Sequence, residues 1–523
     1  MHQNNRNQKY FFLLPLLSLL TLSTLLTLGF SRNFFWQIGM SHDSVFYLSG
    51  AESLLSREGY PYTHFPPLYP ATLALIAFIT NKDIISSATI LSILLYGINT
   101  FLIGFLILNL KNSLLGSLSI SIVFALLPGI VRIFFEAMSE PLFFSFLLIS
   151  FIFLVEYRKT GSQKWAILAG FTAGLCALTR YIAIFLIASI AFFVLIINKD
   201  SIKKRISNGF IAGISGVIPL SAWWVSNQAS KGTMTNRFFV YHPKNLEFFK
   251  LGLREFSSLI GAQYITKWTL RLPGIIFIIC IYLIAALIIF YIASNIIRKN
   301  LNSVNLDFVF ICLISSFFYV LTLLVSVTFF DDSTTLTARI LSPVLIQIFL
   351  CIWVLFWPTN QNQEMIRFDR ILLPIIVALL IFINLPGYLT VTKTFKNEGF
   401  LFTGKAWSTS KTLSWINSLP DSTIIFSNEN IPLSFFTRYR TYSLPERKNV
   451  SSGVPNKTFE ENNKKMINEI RTGKAVLIIF TKNLYSELHE SKEVLTESLV
   501  KCNTFEDSEV YTGQMHFQEY CRN

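Results

Sequence analysis

The stretch FFLLPLLSLLTLSTLLTLGF, residues 11–30, contains no charged side chain. At about 1.5 Å per helical residue it is roughly 30 Å long, which matches the hydrocarbon core of a bilayer. A short polar start with Arg6 and Lys9 precedes it, and the following Ser31-Arg32-Asn33 lacks a small-x-small cleavage pattern. We therefore predict an uncleaved first transmembrane helix.

Further apolar runs follow and, with the first, predict about eleven membrane-spanning helices. They cover approximately residues 84–110, 114–134, 141–156, 165–179, 181–197, 206–227, 273–296, 306–329, 339–357 and 370–391. A shorter run, 67–80, has only 14 residues, which favours a re-entrant or surface helix over a full crossing.

The composition agrees with a membrane protein. The chain has 523 residues, of which 52% are hydrophobic and 14% charged, with a mean hydropathy of +0.51. Soluble domains carry about 25% charged residues. The net charge of +14 does not indicate a nucleic-acid partner, because membrane proteins collect Lys and Arg on cytoplasmic loops beside anionic lipid.

The positions of Lys and Arg in short loops predict a cytoplasmic N-terminus. On this count, and with 67–80 not crossing, the cytoplasmic loops hold Lys111, Arg158, Lys159, Lys164, Lys199, Lys203, Lys204, Arg205, Arg298, Lys299, Arg367 and Arg370. The stretch 229–272 faces outside on the same count although it carries seven cations. Longer loops obey the rule less strictly.

The composition changes near residue 393, so we divide the chain into a transmembrane domain, 1–392, and a small α/β domain, 393–523. A helix is predicted at Lys411 to Leu419, and strands at Ser422 to Ser427 and Lys474 to Thr481. Parity places this domain on the outer face. Cys502 and Cys521 lie in it, and either a disulfide or two free thiols would fit.

The first outer loop contains the densest group of chemically useful side chains. Asp43 lies about a dozen residues past the membrane exit, where a carboxylate can be partly desolvated and act as a base. An ordinary solvated aspartate or a helix cap would also fit. We predict substrate contacts from the polar and aromatic residues around it, namely His42, Tyr47, Glu52, His64 and Tyr69.

Two carboxylates, Glu136 and Glu140, lie four residues apart between apolar runs. On a helix they would share a face, and at a membrane boundary such a pair is costly without a partner or a function. A plain turn between two helices is the alternative.

Two arginines, Arg180 and Arg339, lie at outer ends of spans by parity. An arginine fork matches phosphate geometry and stays charged, although snorkelling to the interface is also typical there. The carboxylates and arginines thus converge on one side of the membrane. This combination suits transfer of a group from a lipid phosphate to a hydroxyl, with a carboxylate as base and the cations stabilising the departing phosphate.

At this point the sequence resembles the GT-C glycosyltransferases. The resemblance rests on Asp43…Tyr47…Ala51…Tyr60…Pro66-Pro67-Leu68-Tyr69-Pro70, then Ser139-Glu140-Pro141-Leu142-Phe143, Leu178-Thr179-Arg180 and Ala338-Arg339-Ile340-Leu341-Ser342-Pro343. More narrowly, the chain is similar to bacterial relatives of the protein O-mannosyltransferases (glycosyltransferase family 39) and of the aminoarabinose transferase of lipid A. The resemblance covers roughly residues 10–440.

The resemblance implies a GT-C fold, a polyprenyl-phosphate-linked sugar donor and reaction on the outer face with inversion at the anomeric carbon. It gives Asp43 the role of first-loop catalytic carboxylate and Glu140 that of the second acidic residue, where many relatives carry Asp, with Glu136 as a competitor. Arg180 and Arg339 would face the donor phosphate. His42 is not expected in the family, and its role stays open.

No cofactor follows from the sequence. His42, His64 and Asp43 lack the fixed spacing of a metal site, and the members of the family differ in metal use, so the need for a divalent cation stays open.

We therefore predict a membrane glycosyltransferase, hexosyl or pentosyl, that acts on a lipid, glycan or protein acceptor in a bacterial inner membrane. The alternative is a transporter or flippase of lipid-linked sugars, which should carry polar groups near the bilayer midplane. A non-catalytic scaffold is a third reading, but it would not need acids and arginines on one face.

Overall fold

The computed structural model describes residues 2–197, 201–259, 303–357, 367–449, 453–481 and 486–521. Up to residue 398 the described chain is built from helices joined by short connections. They are α1 (His2–Ser31), α2 (His42–Leu55), α3 (Leu68–Thr80), α4 (Ile84–Lys111), α5 (Leu114–Leu126), α6 (Pro128–Phe134), α7 (Glu140–Thr160), α8 (Gln163–Thr179), a 3₁₀ turn (Tyr181–Ala183), α9 (Ile184–Ile197), α10 (Ile202–Lys231), α11 (Leu246–Leu259), α12 (Ser303–Phe329), α13 (Ala338–Phe356) and α14 (Arg367–Glu398).

Within those ranges, seven helices are long and apolar enough to cross a membrane, or eight if one bent pair is a single span. They lie in α1, α4, α7, α10, α12, α13 and α14. The chain is thus an integral membrane protein with many spans, as predicted. The number of about eleven stays a prediction.

The predicted run 114–134 is not one straight helix. It is divided into α5 and α6, whose axes differ by 69°. The break falls at Leu127, which is extended because the following Pro128 disfavours helical geometry in the residue before it. Pro128 then starts α6, where its missing N–H leaves no hydrogen bond unmade.

Three other predicted runs give shorter helices. Residues 67–80 form α3, and 165–179 and 181–197 form α8 and, after the 3₁₀ turn, α9. The predicted span 273–296 and the loop cations Arg298 and Lys299 lie outside the described residues.

The first outer loop is held between two other segments by backbone hydrogen bonds. Gly39 N–H donates to the carbonyl of Phe135 at 2.8 Å, and Phe402 N–H donates to the carbonyl of Met40 at 3.0 Å. A Cβ on Gly39 would lie 2.9 Å from the Cβ of Phe400, so only glycine fits this close approach. These backbone hydrogen bonds bring together the start of α2, the start of α7 and the entry to the C-terminal domain.

The C-terminal part is a small α/β domain, as predicted. Its elements are α15 (Lys405–Ser408), α16 (Lys411–Ile416), β1 (Ile424–Ser427), α17 (Asn430–Phe436), β2 (Arg440–Ser443), α18 (Phe459–Arg471), β3 (Ala475–Phe480), α19 (Ser486–Leu495), β4 (Val500–Thr504), β5 (Ser508–Thr512), a 3₁₀ turn (Gln514–His516) and α20 (Phe517–Tyr520). The strand order is β2-β1-β3-β5-β4, with β1 parallel to β2 and β3, and β5 antiparallel to β3 and β4.

The predicted helix at 411–419 and strands at 422–427 and 474–481 correspond to α16, β1 and β3. Every residue of β3 is buried, as expected for the central strand. The division of the chain at residue 393 stays a prediction, and α14 continues past it to Glu398.

Cys502 and Cys521 form a disulfide, with their Cα atoms 5.3 Å apart. Of the two alternatives that the sequence left open, the bridge is therefore the one found. It ties β4 to the segment after α20.

Candidate active site

Asp43 lies in the first turn of α2. Ser41, not Asp43, caps this helix: its hydroxyl accepts from the N–H of Ser44, and the Ser44 hydroxyl accepts from the N–H of Ser41 at 3.0 Å. A capping box of this kind fixes where a helix starts. The Asp43 side chain is 37% exposed, so it is anchored through its backbone while its carboxylate stays accessible.

Glu140 is the first residue of α7, and its side chain is only 2% exposed. A buried carboxylate requires charge partners. Both are arginines that contact the same oxygen: Arg180 Nη1 pairs with Oε1, and Arg339 Nε lies 3.1 Å from it.

Arg339 joins the two carboxylates. Its Nη2 lies 2.8 Å from Oδ2 of Asp43, while its Nε faces Glu140. It lies in the first turn of α13, and Arg180 occupies the extended residue that ends α8. Four different helix ends therefore supply a compact cluster of two cations and two anions, which we call the ion cluster (Asp43, Glu140, Arg180, Arg339).

Tyr47 connects α2 to the start of α7. Its hydroxyl lies 3.0 Å from Oγ of Ser139, the residue before Glu140. Burial raises the pKa of Tyr47, so the phenol stays neutral and can keep this hydrogen bond. Tyr69 is also buried, and its ring packs edge-on against Tyr47 at 5.2 Å. The Tyr69 ring thus helps to hold the Tyr47 ring in place.

His64 packs in the aromatic part of the first loop, with its ring 5.2 Å from that of Phe46. Burial and the nearby Arg237 lower the pKa of His64, and Asp43 opposes this shift. The His64 imidazole is therefore neutral at neutral pH.

Two predicted residues lie outside the hydrogen-bonded ion cluster. Glu136 pairs with Arg132, whose Nε is 3.6 Å from its Oε1. Burial raises the pKa of Glu136, and the charges of Arg132 and Arg339 oppose this shift. Glu52 is exposed near the other end of α2, nine residues after Asp43 and thus roughly 13 Å along the helix axis.

His42 contacts a residue that sequence reasoning missed. Its Nε2 lies 2.7 Å from Oε2 of Glu429, in the C-terminal domain and 387 residues away. Nothing local in the sequence around Glu429 indicated this role. Ser139 was missed as well, although it lies inside a quoted motif.

No group of three or more His, Cys, Asp or Glu side chains that could hold a metal is found within the described ranges. The need for a metal stays open.

Comparisons with known proteins agree with this architecture. Residues 64–224, less than a third of the chain, match the family described as dolichyl-phosphate-mannose-protein mannosyltransferase. No curated protein sequence matches.

Among solved structures, ArnT from Cupriavidus metallidurans bound to undecaprenyl phosphate is similar over 94% of this chain and 97% of that chain, with 10% identity and a TM-score of 0.57. The apo state of the same protein gives 11% identity, 96% and 98% coverage and a TM-score of 0.57. The Archaeoglobus fulgidus oligosaccharyltransferase in complex with zinc and sulfate gives 11% identity, 95% and 73% coverage and a TM-score of 0.52.

These likenesses show the fold. The chain has the GT-C fold of membrane glycosyltransferases, as its motifs predicted.

Proposed function

We propose that this protein is a membrane glycosyltransferase that transfers a sugar from a polyprenyl-phosphate-linked donor to an acceptor hydroxyl on the extracytoplasmic face. The observation that carries the proposal is the double contact of Arg339 with Asp43 and Glu140. This contact places an accessible carboxylate directly beside the Arg339 fork, and Glu140 joins the Arg180 fork to the same cluster. Two such forks suit a phosphate.

In the proposed reaction, Asp43 takes the proton from the acceptor hydroxyl as its oxygen attacks the anomeric carbon. The bond from that carbon to the phosphate oxygen breaks, and its electron pair leaves with the polyprenyl phosphate. Because attack and departure occur on opposite sides of the carbon in one displacement, the product has the inverted configuration. Arg339 and Arg180 stabilise the charge that develops on the leaving phosphate.

Glu140 has a different role in this scheme. It is buried and bonded to both guanidinium groups, so it is poorly placed to reach an acceptor. It holds two like charges close together in a site of low dielectric, where they would otherwise repel each other. Glu140 is thus the positioning partner of the arginines, and Asp43 is the base.

The donor class is supported by two likenesses. The Cupriavidus ArnT structure contains undecaprenyl phosphate, and the matched family is named for a dolichyl-phosphate sugar. Both are polyprenyl phosphates, which suit a pair of arginine forks at a membrane boundary. The sugar, hexose or pentose, and the acceptor, whether lipid, glycan or protein, are what the experiment below must identify.

The sidedness rests on the loop cations and on the disulfide. A bridge between Cys502 and Cys521 suits an oxidising compartment. The proposed arrangement is a cytoplasmic N-terminus and a C-terminal domain outside the bacterial inner membrane.

The experiment offers radiolabelled polyprenyl-phosphate hexoses and pentoses to purified protein in proteoliposomes. Release or transfer of the sugar by the wild type, and its loss in Asp43→Asn, supports the proposal. Asp83→Asn is the matched control, because Asp83 is an exposed cap of α4 and Asn caps equally well. Movement of intact donor across the bilayer without sugar release would instead favour the flippase alternative.

A further inference from the structure

The C-terminal domain meets the membrane domain at the residue before Asp43. His42 Nε2 and Glu429 Oε2 are 2.7 Å apart, and the His42 ring packs edge-on against Phe402 at 4.9 Å. The contact is thus made by the first residue of α2, one position before the proposed base.

Glu429 is held firmly where it makes this contact. It follows β1 and is 2% exposed, and its N–H donates to Oγ of Ser427 at 3.1 Å. The preceding Asn428 exchanges two hydrogen bonds with the backbone of Phe480 in β3, at 3.0 and 2.8 Å. The carboxylate therefore lies just after the C-terminal end of β1, an interior strand of the sheet.

A second link fixes the chain just before α2 to the same domain. Phe402 donates its N–H to Met40, and the Thr403 hydroxyl lies 2.6 Å from the carbonyl of Ile38. The chain just before α2 is thus fixed to the entry of the C-terminal domain, and the first residue of α2 is fixed to Glu429.

We infer that Glu429 is a positioning residue of the active site, which acts through His42 to fix Asp43 against Arg339. The inference rests on the proposed function. A displacement of His42 moves Asp43 with it, because both lie in the same helical turn. A misplacement of about 1 Å in a catalytic group can cost on the order of 100-fold in rate.

The donor phosphate should not bind more weakly when this link is lost. Arg180, Arg339 and Glu140 belong to α8, α13 and α7, and their ion pairs do not involve Glu429. Loss of the link therefore lowers kcat without raising the donor KM. Because loss of folded enzyme would also lower the apparent kcat at an unchanged KM, kcat is calculated per folded protein in each variant.

The kinetic test compares Glu429→Ala, Glu429→Gln, His42→Ala and the double alanine variant. We expect kcat to fall about 10-fold in each alanine variant, with the donor KM no more than about twofold above that of the wild type. The Gln variant, whose amide oxygen can still accept from His42, should retain more activity. The double variant should be no worse than the single ones, since both remove one contact.

Glu509→Gln is the matched control, because Glu509 is a partly buried acid of the same domain that pairs with Lys492 and Lys501 instead. Equal kcat losses in Glu429→Ala and Glu509→Gln, or additive losses in the double variant, would overturn the inference.

A second readout does not depend on the enzyme activity. Asp43→Cys is introduced after replacement of the four cysteines outside the bridge, and its labelling rate by an impermeant maleimide is measured with and without Glu429→Ala. We expect the rate to change at least about threefold, and not to change with Glu509→Gln. An unchanged rate excludes the positioning role. If no transferase activity is found in the wild type, the proposed function fails, while this labelling rate still decides the role of Glu429.

Discussion

Arg339 forms an ion pair with Asp43, with Nη2 of the arginine 2.8 Å from Oδ2 of the aspartate. The proposed base is therefore neutralised by the same fork that is proposed to hold the donor phosphate. A bound phosphate competes with Asp43 for Arg339, so donor binding would release the carboxylate for proton transfer. The role of each residue of the ion cluster can therefore be tested by a separate substitution.

Matched substitutions can distinguish Glu140 from Glu136 as the second acidic residue of the site. Glu140→Gln keeps the shape but leaves Arg180 and Arg339 without their shared buried anion. Breaking a buried pair typically costs about 3–5 kcal/mol, so we expect a lower unfolding temperature and at least about a 10-fold loss of kcat/KM for the donor. Thermal unfolding in detergent and donor kinetics measure both effects.

Glu136→Gln is the control for that change. Glu136 pairs with Arg132, whose side chain is 61% exposed, whereas Glu140 contacts both arginines of the ion cluster. The Glu136 substitution should therefore affect donor use less than Glu140→Gln does. A larger effect at Glu136 than at Glu140 would exchange their assigned roles.

The two arginines should be needed for the planar, two-pronged geometry of their guanidinium groups and not for their charge alone. Replacement of Arg180 or Arg339 by Lys keeps the charge but cannot form the planar bidentate contact. We expect a higher donor KM in each Lys variant and a larger effect in each Ala variant, with Arg339 the more sensitive because it contacts both acids. Steady-state kinetics with varied donor concentration provide the measurement. Unchanged kcat and KM in all four variants would refute phosphate binding by these residues.

The topology can be tested at exposed positions on each side. Glu58 lies in the connection after α2 and Ser333 in the connection before α13, whereas Gln163 and Ser201 lie at the starts of α8 and α10. With single cysteines in a background free of other reactive thiols, an impermeant reagent should label the first two in intact cells and the last two only after lysis. If Glu58 and Ser333 report opposite sides, a shared site on one face is excluded.

The stability of the C-terminal domain should depend on pH through Glu509. Burial raises the pKa of Glu509, but the contacts with Lys492, Tyr511 and Lys501 outweigh it and lower the pKa from 4.5 to about 2. Because the folded pKa is below the unfolded value, the stabilisation is fully present above pH 4.5 and is lost as the pH falls toward 2.

The stability difference between the wild type and Glu509→Gln should therefore be constant near neutral pH and shrink below about pH 4.5. This difference is measured by denaturant unfolding at several pH values, with the fluorescence of the C-terminal domain as the signal. A difference that stays constant down to pH 3 would contradict the pKa shift.

Much of the architecture could be predicted because lipid restricts the choices so strongly. Charged residues at the ends of apolar runs must lie near the membrane boundary, and helix parity then assigns them a side. This reasoning placed Asp43, Glu140, Arg180 and Arg339 on one face, and the structure brings these four into one cluster. Their catalytic roles remain predictions.

Other features depend on contacts that no local pattern contains. The pairing of His42 with Glu429 spans 387 residues, so the sequence around either residue alone does not indicate it. The break at Pro128 did have a local signal, since proline restricts the residue before it, but the apolar run around it concealed the bend.

The most direct test separates phosphate binding from turnover in Asp43→Asn. Binding of undecaprenyl phosphate to the purified protein is measured alongside sugar release from the donor identified above. Because Asp43 competes with the phosphate for Arg339, we predict binding at least as tight as in the wild type, with turnover lower by at least about 100-fold. Turnover near the wild-type rate in this variant would contradict the assignment of Asp43 as the base.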